Sequence, residues 1–269
     1  MTFQLVSMIG AAVFGGLWAS FVNVVVYRVP RGESVVSPPS ACPQCHERIA
    51  WYDNVPVLGW LWLLGKCRRC KAPIAFRYPM IEFVGMVLSA ALMMRFGLTP
   101  TFLYYFVFAF ALLAISFIDL DTWLIPDVIS LPGIALGLCA GMFIDDLVWW
   151  SRPVGALAGG LFFFLMAKGS EVLLKKEGLG LGDVKLLAML GAFLGFEALP
   201  LIVLFASVQG LLVGITWAKL RKGVPPPPAP DGFQPPPGAV PFGPFLSLGA
   251  LEVLLFRDTI VVHLVGWLT

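Results

Sequence analysis

Charge is what this sequence has least of. Of its 269 residues only 13% are charged, against 59% hydrophobic, and mean hydropathy is +0.88. A soluble domain carries about 25% charge, so that class is excluded and a polytopic membrane protein remains. Histidine is scarce too. His46, beside Cys45, reads as a solvated loop residue, and His263 sits in an apolar tail with no partner visible in the sequence. Of five cysteines, Cys139 stands alone in an apolar run and reads as packing. There is no glycine-rich dinucleotide-type turn. Met1-Thr2-Phe3-Gln4 also lacks the basic segment of a secretory signal, so the first apolar run is expected to stay in the protein.

Apolar stretches occur near 2–26, 80–94, 101–118, 128–144, 153–167, 184–199, 200–218 and 240–256. They predict an all-α membrane protein of about eight transmembrane helices, with the long run 184–218 divided at Pro200. Alternating spans put the loops 27–79, 119–127, 168–183 and 219–239 on one side, with 14 Lys and Arg residues against Arg95, Arg152 and Arg257 on the other. Lys185 lies just inside a span on the basic side. By the positive-inside rule the basic face is cytoplasmic and both termini face outward. The net charge of +2 then reports topology, not a nucleic-acid partner. The expected organisation is a first helix at 1–26, a cytoplasmic loop at 27–79, and helices over 80–269 that include a proline-rich cytoplasmic loop at 223–238.

Within this apolar chain two aspartates sit where a carboxylate is costly. Asp119 closes the run 102–118, and Asp183 opens another inside Gly180-Leu181-Gly182-Asp183. An acid in hydrocarbon costs about 2.5–3.5 kcal/mol at a helix centre, so each needs a partner or a chemical role. Both fall at the expected cytoplasmic membrane face. Pro126 stops a helix from running on, so Asp121 and Asp127 read as interfacial or capping groups. Gly180 and Gly182 remove side chains where the chain enters the membrane, permit unusual backbone angles and allow an extended substrate to approach.

The loop 27–79 holds Cys42-Pro43-Gln44-Cys45 and Cys67-Arg68-Arg69-Cys70, two C-x-x-C knuckles 21 residues apart. Two such pairs can converge four thiolates on one tetrahedral ion, and Arg68, Arg69 and Lys71 offset its negative charge, so structural zinc is expected. A reducing cytoplasm disfavours disulfides. Asn23 reads as a contact between helices, Gly155, Gly159, Gly160, Gly191 and Gly195 as close helix packing, and Lys185 as a snorkelling or tuning cation. Glu82 has three readings: a cap, a partner for Arg77, or a group that positions a substrate amine.

Ser20-Phe21-Val22-Asn23 through Arg28, the two C-x-x-C pairs, Arg77-Tyr78-Pro79-x-x-Glu82, Asp119-x-Asp121 through Ile125-Pro126-Asp127, Gly180-x-Gly182-Asp183 and Pro241-Phe242-Gly243-Pro244 follow one another in an order that resembles the type IV prepilin peptidases. The resemblance spans nearly the whole chain. It departs at Ala19, where the family commonly has glycine, and in the proline-rich 223–238. It implies a multi-pass aspartyl protease of the bacterial inner membrane, its active site and large loop facing the cytoplasm. Such an enzyme removes the basic leader of type IV prepilins or type II secretion pseudopilins, with Asp119 and Asp183 matching the catalytic acids. Many members also methylate the new N-terminus with S-adenosylmethionine. The rival classes are a proton-coupled transporter using the same acids and a noncatalytic scaffold built on the cysteine loop; acids at one interface and the loop's asymmetry weigh against the first.

Overall fold

The computed structural model describes residues 2–144, 147–174, 180–220 and 239–266. The proline-rich stretch 223–238 and the lysine pair at 175 and 176 lie outside them. The described residues form helices: α1 Thr2–Arg28, the short α2 Leu58–Trp62, α3 Arg77–Phe96, α4 Pro100–Thr122, α5 Asp127–Gly141, α6 Ser151–Leu174, α7 Leu181–Leu194, α8 Leu199–Leu220 and α9 Gly243–Gly266. Among the described residues, Gln4–Arg31, Arg77–Phe96, Pro100–Thr122 and Phe196–Trp217 are long and apolar enough to cross a membrane, and Asp127–Gly141 is a shorter apolar helix. The chain divides into two compact units, Met1–Ala114 and Ile115–Thr269.

In the first unit α1 packs on α3 through small residues. A side chain on Gly85 would strike the Ala19 methyl, and Ser89 Oγ donates to the Ala11 carbonyl at 2.7 Å. Asn23 Nδ2 donates to the Tyr78 carbonyl at 3.2 Å, the interhelical contact its sequence position implies. Gly97, at φ +62°, ends α3. Thr99 Oγ1 then accepts the Phe102 N–H and Pro100 opens α4, a first-turn position where its missing N–H costs nothing.

In the second unit α7 is the buried element. Every residue from Leu186 to Leu194 except Ala188 is buried, as expected of a helix that is apolar all round. At 14 residues it is about 21 Å long, short of the hydrocarbon thickness. Gly155 of α6 and Gly191 of α7 are in backbone contact, and a Cβ on Gly159 would lie 2.6 Å from the Leu187 carbonyl oxygen.

The break in 184–218 falls at Gly195, not at Pro200 as the sequence predicts. Gly195 adopts φ +79° and donates to the Gly191 carbonyl, closing α7, while Pro200 sits in the first turn of α8. A proline there forfeits no helical hydrogen bond, whereas left-handed backbone favours glycine.

Candidate active site

The last turn of α4 carries Asp119 and then stops. Trp123 takes φ +57°, and its N–H bonds back to the Asp119 carbonyl at 2.9 Å, a left-handed helix end built without glycine. The chain crosses to Pro126 and enters α5 at Asp127. Asp119 is 5% exposed, although its neighbour Asp121 faces out. Its Oδ2 accepts the backbone N–H of Gly243 at 3.0 Å, at the first turn of α9.

Asp183 occupies the third position of α7, half-buried, with its N–H on the Gly180 carbonyl at 3.1 Å. Its carboxylate acts electrostatically on that of Asp119. Ile125 packs between Gly182 of α7 and Gly243 of α9. A Cβ on Gly182 would lie 3.0 Å from Ile125 Cβ, and one on Gly243 would lie 3.3 Å from Ile125 Cδ1 and 2.6 Å from Asp119 Oδ2. Three bare backbone positions therefore frame the acid pair. Gly180 has φ −71° and Gly182 is helical, so neither glycine is needed for an unusual angle, contrary to the expectation above. Gly182 is needed for room, whereas a Cβ on Gly180 would make only ordinary contacts, 3.9 Å from the Gly182 nitrogen and 4.0 Å from Asp183 Oδ2.

Lys185 does not turn to Asp183. It forms an ion pair with Asp127 at 2.6 Å, tying the first turn of α7 to the first turn of α5. Two details of the site escaped sequence reasoning: the Gly243 N–H and the Lys185–Asp127 tie. The first had a signal, a Gly-Pro pair opening an apolar run, which marks a helix start with bare N–H groups.

In the first unit the two cysteine knuckles repeat one backbone plan. Cys42 N–H bonds to Glu47 O as Cys67 N–H does to Ala72 O, and His46 and Lys71 take the matching positive φ. The four sulfurs lie within 4.8 Å of one another, with Cys42 and Cys70 3.7 Å apart and Cys45 and Cys67 4.0 Å apart. A tetrahedron with metal–sulfur bonds of about 2.3 Å has edges of about 3.8 Å, so the tetrad fits a metal ion. Backbone N–H groups of Cys45 and then Gln44 lower the Cys42 thiol to about 6, whereas Cys70, despite the Ala72 backbone contact, is raised to about 11 by burial and the neighbouring thiols, so the four sulfurs divide their protons unequally. His46 stays outside the cluster. Arg68 pairs with Asp53 at 2.5 Å and Arg69 with Glu47 at 3.2 Å.

Comparison with known proteins agrees in order and extent. The sequence profile described as the bacterial peptidase A24 N-terminal domain matches residues 13–96, and that of the type IV leader peptidase family matches 106–215. The chain is 34% identical to a prepilin leader peptidase/N-methyltransferase of Myxococcus xanthus, over 90% of this chain and 88% of that protein. It is 37% identical to one of Burkholderia pseudomallei, over 95% and 87%. The chain belongs to the type IV leader peptidase family. A relative of the same name from Aeromonas hydrophila, 35% identical, covers 92% of this chain and 90% of its own length. No solved structure matches significantly. Within this leader peptidase, the profile of the catalytic family covers Asp119 and Asp183, and the N-terminal profile covers the cysteine tetrad and Glu82.

Proposed function

We propose that this chain is a membrane aspartyl endopeptidase that removes the basic leader of prepilins or type II secretion pseudopilins and methylates the exposed N-terminus. The observation that carries the peptidase reading is the buried Asp119, held by the Gly243 N–H and acted on by Asp183. Two close carboxylates do not both ionise cheaply, so the pair shares one proton. The ionised member draws a proton from water, whose oxygen attacks the scissile carbonyl. The protonated member donates to the carbonyl oxygen, and the tetrahedral adduct collapses as the leaving amine takes a proton. The Gly243 N–H fixes the angle of Asp119 throughout. The exposed Gly180 and the bare Gly182 support an extended substrate strand running past Asp183.

Eight helices set in the inner membrane, of which α5 and α7 are too short to reach across it alone, with both aspartates and the cysteine loop on the cytoplasmic side, agree with the 14-to-3 distribution of Lys and Arg. The basic leader then stays in the cytoplasm while the apolar segment of the substrate lies in the bilayer, and the bond between them meets the dyad at the interface. Zinc is the ion that four cysteine sulfurs at tetrahedral spacing favour, and it would order the loop rather than take part in cleavage. S-adenosylmethionine is the methyl-donating co-substrate that the relatives' second named activity calls for.

The test is cleavage of a prepilin-like peptide by purified full-length protein. Asp119→Asn and Asp183→Asn proteins that are folded yet inactive support the dyad. Substantial cleavage by either removes it.

A further inference from the structure

The first unit contains an acid that the peptidase chemistry does not use. Glu82 lies on α3, one turn beyond Tyr78, half-buried in the seam with α1 where Ser20 and Asn23 also lie. Among the described residues no cation pairs with it. An intramembrane carboxylate without a counter-ion is by default a functional group.

The backbone above it is strained. Val57 adopts φ +62° and ψ −51°, and Leu58 N–H closes onto the Pro56 carbonyl at 2.6 Å, a γ-turn of the rare positive-φ kind. A β-branched residue is a genuine outlier there, because its branched side chain crowds the backbone. Glycine would relieve the strain. The turn persists because Glu82 Oε2 takes the Val57 N–H at 2.7 Å and because Pro56 is seated over Gly16, whose Cβ position is 3.2 Å from the proline ring. Strain that surrounding structure enforces marks a site more often than a connection.

What the turn achieves is chemical. It delivers one neutral N–H to one oxygen of Glu82, and with Ser20 orients the carboxylate without neutralising it. Such a group has acceptor capacity to spare, and in low dielectric its charge is costly until a counter-ion arrives, so it selects a compact cation carrying several N–H donors. A primary ammonium fits.

We propose that Glu82, oriented by Val57 and Ser20, binds the α-ammonium of the newly exposed N-terminus and takes one of its protons, so that the neutral amine's lone pair forms the new N–C bond to the methyl of the sulfonium co-substrate as the S–C bond breaks and the donor leaves as a thioether. This rests on the reading of the chain as a leader peptidase with a second, N-methylating activity. It assigns the amine site to the N-terminal unit, whose residues carry neither aspartate of the dyad.

Binding tests it directly. Full-length protein in detergent is titrated with a mature-end peptide bearing a free amine and with the same peptide N-acetylated. The wild type is expected to prefer the free amine by about tenfold. Glu82→Gln, which keeps an oxygen for the Val57 N–H and loses only the charge, is expected to bind both alike and to lose methylation while cleaving leaders at the wild-type rate. Glu82→Asp, which keeps the charge, retains a preference. If the wild type binds both peptides equally, or Glu82→Gln keeps the preference, the amine site is overturned, however well that variant folds. Absent leader cleavage by the wild type would overturn the peptidase reading instead, and the binding comparison would still decide the fate of Glu82.

Discussion

The backbone N–H of Gly243 donates to Oδ2 of Asp119 at 3.0 Å across 124 residues of sequence. The first turn of one helix thus meets the last turn of another, and a dipole end with bare N–H groups points at a carboxylate. A methyl group at position 243 would lie 2.6 Å from that oxygen, closer than any real contact. Gly243→Ala is therefore expected to push Asp119 aside and to reduce kcat for leader cleavage by about a hundredfold with little change in KM. Steady-state kinetics on folded protein check it; an unimpaired Gly243→Ala enzyme would show that Asp119 does not depend on this contact.

Asp119 and Asp183 are expected to behave as one device. Each Asp→Asn change alone should lower cleavage by about three orders of magnitude, and the double change should add little, because a shared proton is lost with either member. Rates of the two single variants and the double variant, measured on one substrate, decide it. Losses that multiply would mean independent roles.

Lys185 provides the contrast, since it stands two residues from Asp183 yet pairs with Asp127 at 2.6 Å. Lys185→Met removes a tie between the first turns of α5 and α7 and leaves both carboxylates in place. A partly exposed ion pair contributes about 0–1 kcal/mol, so a loss in cleavage of less than about tenfold is expected. A collapse equal to that of Asp183→Asn would place the lysine in the chemistry itself.

How far the sequence disclosed these relations depended on the kind of signal. The aspartates were legible because a charge in an apolar run is costly wherever the run folds, and the cysteines because thiol spacing encodes a tetrahedron. The helix break at Gly195 was not. Proline and glycine both punctuate, and only the backbone reveals that Pro200 falls in a first turn and Gly195 in the left-handed region. The partner of Lys185 was hidden too, since Asp183 stands two residues away and Asp127 is 58 residues distant, and only the packing of α5 on α7 brings the remote acid to it. The strain at Val57 left no trace at all, because a valine in a loop looks ordinary until its φ is known.

The cysteine tetrad predicts a loop that depends on metal. Each knuckle supplies two sulfurs, and the edges of 3.7 and 4.0 Å are those of a tetrahedral site, so metal analysis of reduced protein should find about one zinc per chain. Replacing Cys42 and Cys45 together should abolish it. The salt bridges Arg68–Asp53 and Arg69–Glu47 cannot hold the loop alone, being largely exposed on the arginine side. Chelation should therefore make residues 42–70 markedly more susceptible to proteolysis while the membrane helices stay protected. A metal-free preparation with an equally resistant loop would mean that side-chain packing, not an ion, orders the two knuckles.

The closest packing in the second unit makes the sharpest stability test. Gly155 and Gly191 touch backbone to backbone, and no rotamer of a larger residue can withdraw from that contact. Gly191→Val should separate α6 from α7 and cost more than the about 1–3 kcal/mol typical of overpacking, because backbone rather than a flexible side chain must move. Since α7 carries Asp183 at its other end, the shift should appear first as lost cleavage and then as lost yield of folded protein. Gly160→Ala is the control on the same helix. Its added methyl would sit 3.5 Å from the Ala188 methyl, an ordinary contact, and should leave both thermal stability and cleavage unchanged. If the two variants melt at the same temperature, the α6–α7 interface is looser than the structure describes.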